Sequence, residues 1–368
     1  NDPVRRKRPR RNVQCVVDCA LDEQLRQVMH SARGAEFGLA LAPAAPRSAM
    51  SAVALASASA AAFFGSPTPP PPAPPTAAYA RQWLYALALA SLMSWRGRRK
   101  GSLSRDGAAA AFAVGLVSCA ASVRLGLTLI AFFVTASRLT KVGAARKREL
   151  EDGHTEGGNR NWVQVAANGA LGTLLAAAYH ASTRARGAAP EQPLDAAALP
   201  LESALQAAYL CHYAACNADT WASELGVLSA AKPRLVTAPW RHVPPGTNGG
   251  VSALGNAASA AGGLLIGAVF WGLGALLVGE EDAAAAPAQW PLVVLGAAAG
   301  ALGSLIDSLL GATLQYSGWC SKKQLVVNAP TPTSTRICGY DVLTNSQVNF
   351  LASVITSAAG ALAAARLF

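Results

Sequence analysis

From about Ala77 to the C-terminus the chain alternates apolar blocks with short polar loops. The blocks fall near 77–95, 107–122, 124–139, 162–181, 201–218, 250–278, 288–306 and 346–366. Blocks of this length and apolarity predict membrane-crossing helices. The second and third are short for a crossing of about 20 residues. With Arg124 between them they read as a tight helical hairpin, or alternatively as a re-entrant pair. The fold class expected is therefore all-α integral membrane: a polytopic bundle of about seven or eight transmembrane helices with small-residue packing. Gly263-Leu-Leu-Ile-Gly267 and Gly296-Ala-Ala-Ala-Gly300 supply the small residues that let helices approach closely in lipid. Gln164 and Asn168, at i and i+4, share one helix face and act either as interhelical glue or as cavity lining.

Composition agrees with this class. Hydrophobic residues make up 52% of the 368 positions, charged ones only 14%, and the mean hydropathy is +0.27. Much of the apolar content is alanine, so Leu, Val, Ile and Phe carry the partitioning into lipid. The net charge of +11 would suit a nucleic-acid binder, but the positives lie in loops between the blocks. If the blocks alternate across a bilayer, seventeen Lys and Arg fall in the loops of one side, against Arg124, Arg184 and Arg186 on the other. That asymmetry is the positive-inside pattern, and it puts the motif-bearing loops on one cytoplasm-like face. No nucleic acid is expected as a partner of this core; the bilayer is.

Residues 1–80 form a separate region, with the membrane domain following over 81–368. This region carries the basic run Arg5 to Arg11, a weakly apolar stretch from Met50 to Gly65, and proline-rich sequence from Ser66 to Pro75. The proline run predicts an extended polyproline II linker. The apolar stretch fits a targeting peptide or a marginal extra span. A basic N-terminus before the first block breaks the charge rule unless one of these is present. The integral membrane location leaves the organelle open among chloroplast envelope, endoplasmic reticulum and plasma membrane. The seven cysteines form neither a disulfide framework nor a zinc pattern. Cys211-His212 and Cys216 lie inside an apolar block, where packing is the commoner role.

Candidate chemistry concentrates in Asn217 to Gly255. Asp219 and Glu224 sit at the end of one block, and carboxylates there are costly and usually functional. Asp219 shares a helix face with Ser223, and Thr220 with Glu224. A bland alternative has Asp219 capping the following helix. Asp307 ends the seventh block on the same side, and Asp307-Ser308 loosely echoes Asp219-Thr220, as an internal duplication would. Gly246-Thr247-Asn248-Gly249-Gly250-Val251-Ser252 precedes a block, and consecutive backbone N–H groups there would make an anion nest. The lysine of a Walker loop is absent, and a plain turn competes with the nest. Hard oxygen ligands at Asp219, Glu224 and Asp307 suit Mg²⁺ completed by phosphates.

Ala218 to Gly226, Pro245 to Ser252, Asn161 to Gly169, Ser102 to Gly107 and Val348 to Leu351 together resemble the transmembrane protein 19 family, from about Gln82 onward. The family includes a plant protein linked to glucose response and the phytyl-phosphate kinase of vitamin E salvage. The pattern is also similar to CTP-using membrane enzymes such as dolichol kinase. The resemblance implies a Mg²⁺-dependent phosphotransferase that uses a nucleotide, with CTP favoured, on a prenyl monophosphate. In that reading Asp219, Glu224 and Asp307 hold the metal. Gly246, Thr247, Gly249, Gly250 and Ser252, with Ser223 and Asn168, take phosphates, and Arg105, Lys141 and Arg160 neutralise the acceptor. The alternative is a transporter or a non-catalytic membrane protein, because broken helices with polar ends also describe carrier sites.

Overall fold

The computed structural model describes residues 76–144 and 158–368. The basic run Arg5 to Arg11, the stretch from Met50 to Gly65, the proline-rich linker and the basic residues Arg146, Lys147 and Arg148 lie outside the described residues.

Among the described residues eight long helices occupy the eight apolar blocks: α1 (Thr76–Arg99), α2 (Arg105–Ala121), α3 (Val123–Leu139), α4 (Trp162–Ala185), α5 (Pro200–Gly226), α6 (Ala253–Leu277), α8 (Pro291–Leu314) and α9 (Asn345–Leu367), with a short α7 (Glu280–Ala285) between the sixth and seventh of them. By length and composition, α6, α8 and α9 are long and apolar enough to cross a membrane. The all-α expectation needs one correction. Two antiparallel three-stranded sheets fill the loops that follow α5 and α8. One contains β1 (Arg234–Leu235), β2 (Ala238–His242) and β3 (Gly250–Val251) in the order β2-β1-β3. The other contains β4 (Ser317–Cys320), β5 (Leu325–Val327) and β6 (Ser334–Cys338) in the order β5-β4-β6. These strands are two to five residues long, too short to leave a periodic signature.

A second correction concerns helix ends. The helices carrying the acids run eight residues past their apolar blocks, to Gly226 and Leu314, so Asp219 and Asp307 lie inside continuous helix. Asp219 is therefore not a cap. Inside these helix ends the hydroxyls find their acceptors on the preceding turn, so the polar side chains stay satisfied without leaving the helix. Thr220 Oγ1 donates to Cys216 O (2.9 Å), Ser223 Oγ to Thr220 O (3.1 Å) and Thr313 Oγ1 to Leu309 O (2.8 Å).

Small residues set the packing of α5, α6 and α8. The two small-residue motifs face each other: a Cβ on Gly263 would sit 2.8 Å from Gly300 Cα, and one on Gly296 would sit 2.6 Å from Gly267 Cα. On α5, Ala218 meets α6 at Gly262, and Ala215 meets α8 at Gly303, where an added Cβ would stand 3.0 Å from Ala215 Cα. Contacts this close replace the hydrophobic drive that is missing between helices in lipid. Asn217, fully buried, ties the same helix to its neighbours: its amide donates to Gly262 O (2.9 Å) and accepts from Thr135 Oγ1 (3.0 Å). Around them Tyr209, Tyr213, Ile266, Phe270 and Leu292 form the main apolar core. Cys211 packs against Gly360 of α9, while His212 Nε2 lies 2.9 Å from Asn168 O.

The α2–α3 connection is the tight hairpin that was expected. Ser122 turns the chain and caps α3 by accepting from Leu125 N (3.2 Å), and Glu191 accepts from Ser122 Oγ (2.8 Å) and Val123 N (2.6 Å). Arg124 follows, 1% exposed, stacked 3.8 Å from the Phe270 ring. It donates to Phe270 O (2.9 Å), Gln206 Oε1 (3.1 Å) and Gln192 O (3.3 Å). One guanidinium thus fastens α3, α5, α6 and the α4–α5 loop.

Replacing Gly303 with Leu is expected to overpack the α5–α8 contact and cost about 1–3 kcal/mol, lowering the Tm of the detergent-solubilised protein. Gly272→Ala on α6, where an added Cβ meets nothing within 4 Å, is expected to hold or raise the Tm, because alanine is the better helix former. Arg124→Ala removes three hydrogen bonds from a buried charge and is expected to cost about 3 kcal/mol, read in the same melting experiment.

Candidate functional site

A cavity of about 460 Å³ opens where the last turns of α5 and α8 meet the first turns of α4, α6 and α9 and the 246–252 loop. Local sequence chemistry fixes each of those starts. Asn161 and Gln164 form a capping box on α4, Ser252 Oγ accepts from Gly255 N (3.1 Å) at the start of α6, and Thr344 pairs with Gln347 on α9. Gly226 at the end of α5 and Gly255 of α6 touch backbone to backbone, so an added Cβ on Gly226 would lie 3.4 Å from Gly255 Cα. The two halves of the motif-rich stretch are thereby brought edge to edge.

The chemistry centres on a carboxyl pair. Asp219 and Asp307 are within hydrogen-bonding reach of each other. Each is seven residues from the end of its helix, about 10 Å in from the rim at 1.5 Å per residue. Their meeting follows from the packing below them. Ala215 and Gly303 are the residues one turn earlier on the two helices, and the close contact there carries the next turns together. Asn349 of α9 completes the group: with its amide oriented as its neighbours require, it donates to Asp307 Oδ2 (3.1 Å) and Asn345 O (2.9 Å). Asn168 Oδ1 is buried with no partner among the described residues, and its residue lines both the main cavity and a small recess it shares with Asp219, Asp307 and Asn349.

Glu224 lines the cavity but stands apart from the pair. Among the described residues no three His, Cys, Asp or Glu side chains gather closely enough to hold a metal, so the structure does not bring the three expected acids together as one group. The reason is helical geometry. Glu224 is five residues beyond Asp219 and points round the helix, near enough to Arg160 for attraction. Arg160 is anchored by Thr140 Oγ1 (3.2 Å) and Ser137 Oγ (3.4 Å), and its backbone pairs with Ser102 and Ser104. Burial pulls its proton affinity down, and Glu224 pushes it back up.

The glycine loop also departs from expectation. Gly249, at φ +72°, takes a left-handed turn that favours glycine, and an added Cβ there would lie 2.6 Å from Ser308 O. The loop therefore lies flat on α8 one turn beyond Asp307. Its N–H groups do not form a continuous nest. Thr247 N donates to Pro244 O (3.3 Å), Asn248 N to Ser317 Oγ (3.0 Å) and Gly250 N to Thr247 O (2.9 Å). Gly246, Thr247, Gly249, Gly250, Ser252 and Ser223 nonetheless line the cavity.

Two expected cations do not join the site. Arg105 is exposed at the start of α2, and Lys141 donates to Lys100 O (3.2 Å). Their loops share a side with the cavity but lead away from it, a distinction that charge counting does not make. Residues missed by sequence reasoning are Asn256, Ser304, Asn345 and the structural use of Asn349. Amides at i and i+4 in the first turns of α9 repeat the Gln164/Asn168 pattern of α4, and that repetition was the available signal.

The model of the integral membrane protein family DUF92 matches residues 88–357. Protein PGR of Arabidopsis thaliana is 40% identical over 285 residues, covering 77% of this chain and 97% of its own length. A membrane protein of Methanocaldococcus jannaschii is 28% identical over 236 residues (64% and 74% of the two chains), and one of Synechocystis is 28% identical over 232 residues (63% and 77%). No solved structure matches. The agreement of this family with the resemblance read from the motifs, over nearly all of the described helices, leads to one conclusion: the chain belongs to the DUF92 family of integral membrane proteins and is a multi-pass membrane protein.

Proposed function

We propose that the protein is a membrane phosphotransferase that moves a phosphoryl group from a nucleoside triphosphate to a prenyl-type monophosphate. The observation that carries this reading is the Asp219–Asp307 pair, with Asn349 beside it, at the inner end of a polar cavity. Two carboxylates side by side repel unless they share a proton or hold a cation. The donor set fits Mg²⁺, which uses one or two carboxylates and fills its remaining positions with water and phosphate oxygens. Asp219 and Asp307 would hold it, and bound there it would neutralise charge developing on the transferred group.

In the transfer, an acceptor phosphate oxygen forms a bond to the γ-phosphorus and the bond from that phosphorus to the bridging oxygen breaks. The nucleoside diphosphate leaves with the electron pair, and the lipid becomes a diphosphate. Protein groups position the reactants for such a step more than they react. Arg160 supplies a fixed positive charge near the acceptor, and Glu224 orients Arg160. A recess of about 370 Å³, lined by Lys232, His242, Pro244 and Trp319, adjoins the cavity through Pro245 and Val326 and offers a planar base a stacking face. We place all eight long helices across the bilayer, with the cavity on the basic side. CTP is the donor favoured by family resemblance.

Purified protein with Mg²⁺, prenyl monophosphates and each of CTP, ATP, GTP and UTP is expected to yield prenyl diphosphate. Asp219→Asn and Asp307→Asn are each expected to lower kcat by at least about 10²-fold, the scale for losing a group that stabilises transferring charge. Arg105→Ala and Lys141→Ala are expected to retain turnover. Prenyl exchange across a sealed vesicle without diphosphate product would replace this reading with a carrier.

A further inference from the structure

Beside the polar cavity lies a second one of opposite character. It runs between α1, α2, α3 and α4 and is walled by apolar side chains such as Leu89, Met93, Val114, Ile130 and Phe133. Arg160, Gln164 and Asn168 belong to the walls of both cavities. An apolar slot thus ends at the residues where the polar chamber begins. The slot is narrow, about 80 Å³. On the scale where about 10–15 Å³ admits one water, it is one hydrocarbon chain wide, not a site for a two-chain lipid. Along α2 it extends from Ala111 to Cys119, about 12 Å of helix.

Two glycines shape it. An added Cβ on Gly169 would press on Val114 at 3.1 Å, and Gly115 sits buried opposite Ala90. Both positions keep the walls of α2 and α4 thin where the slot passes. At the polar end, Ser137 and Thr140 hold the Arg160 guanidinium in place from α3, the helix that also supplies the slot's phenylalanines.

We infer that this slot binds the single hydrocarbon chain of an anionic amphiphile whose phosphate lies against Arg160 and faces the Asp219–Asp307 pair. The inference rests on the proposed phosphotransfer and adds to it a place for the tail and a chain-length selector. Because the slot meets the polar cavity at three shared residues, one molecule can occupy both, with charge in one and hydrocarbon in the other. Leu89 and Leu129, the wall residues farther along α1 and α3 from Arg160, then select length: a larger residue at 129 shortens the slot and a smaller one at 89 opens it.

The test measures binding of prenyl monophosphates of graded length, from isopentenyl to geranylgeranyl, to the whole protein in detergent. The affinity ratio of long over short chains is expected to fall about tenfold or more in Leu129→Trp, since several buried methylenes are lost, and to rise in Leu89→Ala. In the unaltered protein, a farnesyl monophosphate with a terminal diazirine is expected to label peptides of α2 and α3. Binding whose length dependence ignores both substitutions, with label on α6 or α8 instead, overturns the tail site and leaves the phosphotransfer reading standing. Unaltered protein that binds neither any monophosphate nor any nucleotide with Mg²⁺ overturns both.

Discussion

The close contact of α5 with α6 and α8 is the constraint on which the rest depends. Gly262, Gly263, Gly296, Gly300 and Gly303 remove side-chain volume where three helix backbones converge. In lipid no hydrophobic force gathers helices, so contact area has to come from proximity itself. Proximity has a second effect here. Two helices that touch at Ala215 and Gly303 must also bring together whatever stands one turn further on, and that is a carboxyl on each. Packing and chemistry are thus set by the same residues, and the acids cannot be separated without unpacking the bundle.

The two ends of α3 show how polar groups are managed differently within one bundle. At its start Arg124 is held through Nε and Nη1 by three oxygens and against a ring face, making a structural knot. At its other end Ser137 and the capping Thr140 hold Arg160 at the border of two open chambers. A buried cation held by several elements is costly to remove; a cation anchored beside open space has room for a ligand. The polar side chains of the fold divide along this line, with Asn217 on the first side and Asn168, Asn256 and Asn349 on the second.

Much of this was legible in the sequence. Apolar blocks located the eight long helices of the described residues, and charge counting put Asp219, Arg160 and the glycine loop together, as one cavity does. What was not legible has physical causes. Helix ends were misplaced by eight residues at Gly226 and Leu314 because apolarity marks where a helix is buried in lipid, not where its backbone hydrogen bonds stop. Glu224 looked equivalent to Asp219 because both are acids in one motif, while the five-residue offset sends it to Arg160. Arg105 and Lys141 had the right side and sign, but position within a face is a tertiary property. The amides of α9 carried a signal already recognised on α4, and reading it would have required treating Asn345 and Asn349 as a pair.

The arrangement of helix ends around the cavity gives it an internal polarity. α5 and α8 arrive with their C-termini and their carboxyl pair, while α4, α6 and α9 start there. Helix C-termini carry partial negative charge and N-termini partial positive charge. One wall therefore favours cations and the other anions, across a single chamber. A ligand that carries both, as a metal-bound phosphate does, is turned to one orientation by the backbone before any side chain touches it. Residue changes at the rim can alter which molecule enters, but its direction of approach is written into the order in which the helices begin and end.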